Sequence, residues 1–201
     1  LAALPKEDYP IIDQNNPGVT ITVNSRILFK LIDKTRFAIS NEETRYFLNG
    51  LYFNINNEDN KSVITLVGTD GHRLAKFSHK IDKNIDKISG VIIPKKTIYE
   101  LSKLLSEIDE DIQISISSNK IIFFIANIIF ISKLIDGSFP DYKRVIPNDN
   151  SNILIINRDK LLSAVDRVST IANEKSPVIK FKLLSNLLNL NTINTENSTA
   201  S

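Results

Sequence analysis

The sequence has no cysteine, no methionine and no tryptophan, and its 201 residues include only two histidines, His72 and His79. Without cysteine there is no disulfide scaffold, no thiolate metal site and no cysteine nucleophile. Two histidines exclude a histidine-rich metal centre, and no metal or organic cofactor is expected. Glycine is scarce, six in all, and neither a P-loop nor a dinucleotide fingerprint occurs. No apolar run approaches the length of a membrane span. The densest apolar stretch, Ile121 to Ile131, contains Asn127 and reads as paired strands. Leu1 to Tyr9 carries Lys6, Glu7 and Asp8, which does not fit a secretory signal. These absences fit a reducing cytoplasm and no membrane partner. One-sided charge is also missing: 25 Lys and Arg against 23 Asp and Glu leave a net +2, which names no partner.

What remains is ordinary globular material, 42% hydrophobic and 24% charged, in a length that suits one or two domains. The chain opens without methionine and ends in a polar Asn194 to Ser201, so it is read as a fragment, or as a chain missing its ends. Leu1 to Gly18 is punctuated by Pro5, Pro10 and Pro17 and reads as a linker or the tail of a preceding unit. Val19 to Val23 alternates as a short strand. Asn24 or Ser25 can cap a helix reaching about Phe37, with Ile27, Leu28, Leu31, Ile32 and Thr35 on its apolar side. Arg26, Lys30 and Lys34 recur at four-residue spacing on its other side.

Strands are expected at Tyr46 to Ile55, Ser62 to Thr69 and Arg73 to His79, then at Gly90 to Ile93, which is stopped by Pro94. A second helix, about Lys95 to Leu105, buries Ile98, Leu101, Leu104 and Leu105. Three more strands follow at Ile112 to Ser117, Ile121 to Ile125 and Ile128 to Leu134. The order is strand, helix, three strands, and then the same again. A third copy begins with a strand at Ile153 to Ile156 and a helix from Arg158 to about Ile171, with Leu161, Leu162, Val165 and Val168 inside. Strands at Val178 to Leu183 and Leu187 to Ile193 complete it. The stretch TVNSRILFKLIDKTRFAISNE echoes IINRDKLLSAVDRVSTIANEK about one domain later. The reading is an α+β chain of two related domains, the second incomplete.

For chemistry, GTDGHRLA is the one stretch that looks like an active site, with Asp70, His72 and Arg73 close together. A hydrolase using Asp70 and His72 is one reading. Asp70-Gly71 is also an ordinary turn signal, and no nucleophile elbow accompanies it. The turn or binding reading is favoured over catalysis. Asp109 to Asp111 follows a helix end and reads as solvated surface. The three helices each carry outward cations: Arg26, Lys30 and Lys34; Lys95, Lys96 and Lys103; Arg158 and Arg167. Cations sharing one surface would attract the phosphate backbone without reading sequence. The same pattern fits an ordinary solvated helix face equally well.

Taken together, AISNEETRYFLNGLYF, VGTDGHRLA, GVIIPKKTIYEL and SKLIDGSFPDYKRVIP resemble the middle domain of the bacterial DNA polymerase III beta subunit, the sliding clamp family. LLSAVDRVSTIANEKS resembles the opening of that family's third domain. The resemblance implies an α+β clamp fold of repeated β-α-β-β-β units, with helices lining a hole for duplex DNA and antiparallel sheets outside. It implies residues 1–17 as the link from a first domain, 18–147 as the middle domain and 148–201 as part of the third.

It further implies a non-catalytic processivity factor, cytoplasmic and nucleoid-associated, whose full-length form is a head-to-tail homodimeric ring. Its expected partners are duplex DNA without sequence preference, the polymerase III catalytic subunit, the clamp loader and other proteins bearing a clamp-binding peptide. The peptide groove maps by motif to Leu48, Thr69, Gly71, His72, Arg73, Leu74, Pro140, Arg144 and Val145, with Leu48, Leu74, Pro140 and Val145 as apolar wall. DNA contacts map to Arg45, Tyr46, Lys95 and Lys96, with Arg45 and Tyr46 expected at a strand start. Lys30 and Lys34 are added from helix-face geometry. The family's first domain and the end of its third, which carries groove and subunit-interface residues, lie outside this sequence. An isolated peptide-binding adaptor that never encircles DNA is the alternative.

Overall fold

The computed structural model describes residues 18–58, 61–81, 85, 88–172, 178–194 and 198–200. The proline-punctuated stretch 1–17 and the Asn-Glu that closes the second half of the echo lie outside them. The chain divides into two compact units, Leu1–Asp141 and Tyr142–Ser201.

The first unit begins with strand β1 (Val19–Asn24) and helix α1 (Ser25–Asp33). Alternation places Ile21 and Val23 inward and Thr20 and Thr22 outward. Asn24 caps the helix, its Oδ1 accepting from the Arg26 N–H at 3.0 Å. Leu28, Leu31 and Ile32 are buried, whereas Arg26 and Lys30 are exposed. Regular helix ends four residues before the expected Phe37, and Arg36–Ala38 forms a separate 3-10 turn. Thr35 lies between them, buried, with its hydroxyl donating to the Leu31 carbonyl at 2.7 Å. Such back-bonding competes with a regular helical ladder.

An antiparallel meander follows: β2 (Gly50–Glu58), β3 (Lys61–Thr69) and β4 (Leu74–Ile81). Then the pattern repeats as β5 (Ile88–Pro94), α2 (Lys95–Ser106), β6 (Asp111–Ile116), β7 (Lys120–Ile125) and β8 (Ile128–Lys133). Proline at the head of α2 costs nothing, because the first helical N–H groups lack intrahelical partners anyway. The Lys95 N–H is taken by the Asn49 carbonyl at 2.9 Å.

The two repeats exchange their first strands. The sheets run β4-β3-β2-β5 and β1-β6-β7-β8. Val19 pairs with Ile116 and Asn24 with Asp111, while Gly50 pairs with Pro94 and Leu51 with Ile93. One core results. Leu28, Leu31 and Ile32 from α1 and Ile98, Leu101 and Leu105 from α2 lie among Leu51, Phe53, Leu66, Ile114 and Phe123 from the sheets. Burial of this apolar set is the main term holding helices to sheets, at about 1.5–3 kcal/mol per large side chain.

The second unit contains a 3-10 turn at Tyr142–Arg144, helix α3 (Arg158–Ser169) and strands β9 (Lys180–Leu184), β10 (Leu187–Asn194) and β11 (Ser198–Ala200). Asn157 caps α3 with two accepted N–H bonds, from Asp159 and Lys160, each 3.0 Å. The echo between the two stretches is therefore, at its third residue, a shared helix cap. Two expectations fail here. Ile153 to Ile156 forms no strand and is exposed throughout. In the first unit the matching strand pairs with β6, which follows a second helix; among the described residues the second unit has one helix and no such ladder. For the same reason Leu162 is exposed and Leu161 and Val165 are only half-buried, leaving Val168 as the buried side chain of α3.

Candidate functional site

The segment between Ile39 and Gly50 departs from the expected strand. Glu43–Leu48 winds as 3-10 turns with a break at Arg45 (φ −111°, ψ 54°), and β2 starts only at Gly50. Its aromatic content fits a strand, but other bonds hold it curled. Ser40 N–H donates to the Leu48 carbonyl at 3.1 Å, and the Asn49 amide donates to the Glu42 carbonyl at 3.0 Å. Arg45 and Tyr46 therefore sit on a turn and not at a strand start.

Across from this turn lies the hairpin bend between β3 and β4, Thr69 to Leu74. Its own side chains build it. Thr69 donates its hydroxyl to the Arg73 carbonyl at 2.7 Å and accepts the Gly71 N–H at 3.1 Å. Asp70 Oδ1 accepts the N–H groups of His72 and Arg73, both at 2.9 Å, and Oδ2 accepts Arg73 Nε at 3.1 Å. These donors, first the Arg73 amide, then that of His72, then the Arg73 guanidinium, hold the Asp70 carboxyl below its ordinary value. Gly71 has φ +89°, which L side chains rarely adopt. Both Asp70 oxygens are thus bound to the bend, which is the arrangement of an Asx turn and not of a general base paired with histidine.

The flanks are charged and aromatic. Arg45 forks onto Glu42, with Nε to Oε2 at 2.8 Å, and its Nη2 donates to the Asp70 carbonyl at 3.1 Å. This pairing holds the Glu42 carboxyl below its ordinary value and raises Arg45. The Arg73 guanidinium lies 5.8 Å from the centre of the Phe37 ring, and Phe37 is exposed. Glu42 and Phe37 were not singled out from the sequence. Glu42 stands three residues before Arg45, a spacing that could have marked the pair; Phe37 gave no signal, because its role depends on a bend thirty-odd residues away.

Of the expected groove residues, the first unit brings Thr69, Gly71, His72, Arg73 and Leu74 onto one bend. His72 and Arg73 are exposed and Leu74 is half-buried. Leu48 is only 3% exposed. Pro140 is exposed and follows Phe139, whose ring stacks on Tyr52 at 4.9 Å. That stack needs Gly90, since a Cβ there would fall 2.0 Å from the Tyr52 ring. Arg144 and Val145 belong to the second unit, in or next to its first 3-10 turn, and both are exposed.

Of the expected DNA contacts, Tyr46 is exposed with its ring edge-on to Phe47. Lys95 bonds to Asn41 and lies over the Tyr99 ring, which Arg36 also approaches. Lys96 is exposed. On α1, Lys30 lies 5.7 Å from the Phe77 ring centre and Lys34 is 3.6 Å from Asp33. Asp33 also meets Arg36 at 3.4 Å, and Lys103 on α2 meets Glu100 at 3.2 Å. The helix faces thus alternate paired and less encumbered cations. In the second unit Arg158 pairs with Asp159, and Arg167 lines a hollow with Val168 and Leu190. Among the described residues no group of three or more His, Asp or Glu could hold a metal ion, and no helix is long and apolar enough to cross a membrane.

Residues 22–141 match the family described as DNA polymerase III beta subunit, central domain, and residues 143–201 match its C-terminal domain. The beta sliding clamp of Caulobacter vibrioides is 45% identical over 180 residues, which cover 90% of this chain and 48% of that protein. The Escherichia coli K12 beta sliding clamp is 34% identical over 200 residues, covering all of this chain and 53% of that protein. Among solved structures, the Bartonella birtlesii DnaN sliding clamp bound to griselimycin is 46% identical with TM-score 0.90, covering 98% of this chain and 53% of that one. The Caulobacter crescentus beta sliding clamp is 43% identical with TM-score 0.92, over 98% of this chain and 52% of that one. The chain spans about half the length of the curated relatives it matches.

Proposed function

The chain belongs to the DNA polymerase III beta-subunit family, and on that premise we propose that it serves as part of a sliding clamp, a non-catalytic processivity factor. Its α1 and α2 face the phosphates of duplex DNA, and its Thr69–Leu74 bend receives a short peptide from the polymerase catalytic subunit, the clamp loader and other clamp-binding proteins. The full-length protein works as a homodimeric ring in the cytoplasm, at the nucleoid. The first unit, closing at Asp141 and not at the expected 147, serves as the middle domain, and the second unit, from Tyr142, as part of the third. Pro140 joins the bend residues in peptide recognition. The two helices hold DNA through weak backbone contacts only, because base-specific contacts would stop sliding.

The observation that carries the peptide reading is the bend itself. A turn spends Thr69, Asp70 and Gly71 on its own rigidity and leaves His72 and Arg73 exposed beside half-buried Leu74. A pre-organised polar edge next to apolar surface suits an extended peptide, since little ordering remains to be done on binding. The test is fluorescence anisotropy with a labelled synthetic peptide bearing leucine and phenylalanine anchors. His72→Ala should weaken binding several-fold without changing the melting temperature. Unchanged affinity for His72→Ala and Arg73→Ala together would remove the bend from the peptide site. Peptide binding by a full-length dimer that is not retained on circular DNA would leave the adaptor reading in place of the clamp.

A further inference from the structure

We infer that Arg45, expected from the sequence to touch DNA, is instead a positioning residue for the Thr69–Leu74 bend; the inference rests on the peptide-binding reading of that bend. Two of the three guanidinium nitrogens of Arg45, Nε and Nη2, are already hydrogen-bonded. Nε and Nη2 fork onto the Glu42 carboxylate, and Nη2 also donates to the Asp70 carbonyl at 3.1 Å. Nη1 lies over Gly71, where a Cβ would stand only 2.5 Å from it. A phosphate is gripped best by the same planar fork. To reach one, Arg45 would have to release Glu42 and bring the phosphate toward a carboxylate of like charge.

The backbone supports this assignment. The break at Arg45 (φ −111°, ψ 54°) interrupts the 3-10 winding of Glu43–Leu48 at the residue whose side chain crosses to the bend. The bend is then secured from two sides. Arg45 holds the Asp70–Gly71 peptide from one, and Phe37 lies under the Arg73 guanidinium on the other. Asp70 closes the inside through the His72 and Arg73 amides. His72, at the apex, keeps an exposed side chain. Gly71 is needed twice, for its φ of +89° and for the space that Arg45 occupies.

The test uses the whole chain with Arg45→Ala, Arg45→Lys, Glu42→Gln, Gly71→Ala and the pair Arg45→Ala with Gly71→Ala. The probes are a fluorescent peptide with leucine and phenylalanine anchors and a labelled DNA duplex; amide hydrogen exchange is followed at residues 70–73. Arg45→Ala should weaken the peptide roughly tenfold, the scale of one lost charge-assisted hydrogen bond. It should also speed exchange at Gly71 and His72, and leave duplex affinity within about twofold. Lysine should not rescue it, lacking the fork. Glu42→Gln should act in the same direction but more weakly. Gly71→Ala should cost less in the Arg45→Ala background than alone, the non-additivity expected of two groups competing for one space. Loss of duplex binding with peptide affinity and exchange unchanged would return Arg45 to the DNA face and overturn the inference. Should the unaltered chain bind no peptide, the peptide reading falls; exchange at 70–73 unaltered by Arg45→Ala would then overturn the clamping of the bend separately.

Discussion

Removing Lys30 and Lys96 together should flatten the salt dependence of duplex binding. Both are exposed, one on each helix, and Lys30 is set against the Phe77 ring, not against an acid. Lys34 and Lys103 differ, since Asp33 and Glu100 sit 3.6 and 3.2 Å from their ammonium groups. A cation already neutralised by its own helix displaces little of the counterion atmosphere around DNA. Each lysine that truly meets a phosphate adds about 0.9 to the slope of log K against log salt. Lys30→Ala with Lys96→Ala should therefore lower the slope by close to 2, as about 0.9 from each lysine. Lys34→Ala with Lys103→Ala should lower it by about half as much or less. The assay is anisotropy of a labelled duplex titrated with the protein between about 50 and 200 mM salt, the range in which such slopes are read. Equal effects of the two pairs would show that the acidic neighbours do not matter. An unaltered slope in the Lys30 and Lys96 variant would refute the placing of these helix faces against DNA.

Two further outcomes follow from the geometry. The Asp70 carboxyl is held below its ordinary value by amides that exist only in the folded bend, so its contribution is fully present above the unfolded value, near about 4, and fades as pH falls through the lower folded value. An NMR titration should show Asp70 protonating below a free aspartate, with exchange at His72 and Arg73 rising in the same window; titration at or above the ordinary value would contradict the bonding described. Leu31 is completely buried between helix and sheets, and Leu31→Ala should cost about 2–5 kcal/mol in urea unfolding of the chain. A loss below about 1 kcal/mol would mean that the core relaxes around the cavity.

The periodicity of Ile, Leu and Val located both helices of the first unit and seven of its eight strands to within a few residues, because each buries one face and the pattern is strict. It misjudged the start of the Tyr46 to Ile55 strand, where β-forming aromatics before Gly50 are overruled by the Ser40, Asn49 and Glu42 bonds that curl the chain, a tertiary choice no local pattern encodes. It misjudged Ile153 to Ile156 for the opposite reason: the pattern of a strand is there, but a strand exists only with a partner. At the site, the bend that holds Thr69, Gly71 and His72 was legible through its Asp70-Gly71 turn signal. That Leu48 turns inward, and that Arg45 serves the bend, were not, since both depend on which chain segments become neighbours.

The exchange of first strands between the two repeats also governs how the first unit can be made. Val23 finds its partner Ile112 only after about ninety further residues have been synthesised, and pairing over such distances is slow. While a nascent chain carries only β1 to β4, the edge of β2 that will take β5 is bare, and Ile21 and Val23 have no ladder. Such an intermediate is open to aggregation and to chaperones. The same arrangement would permit reconstitution from pieces. Divided between Ile81 and Ile88, each fragment would carry a strand that only the other fragment can pair, so their association and their folding would be a single event.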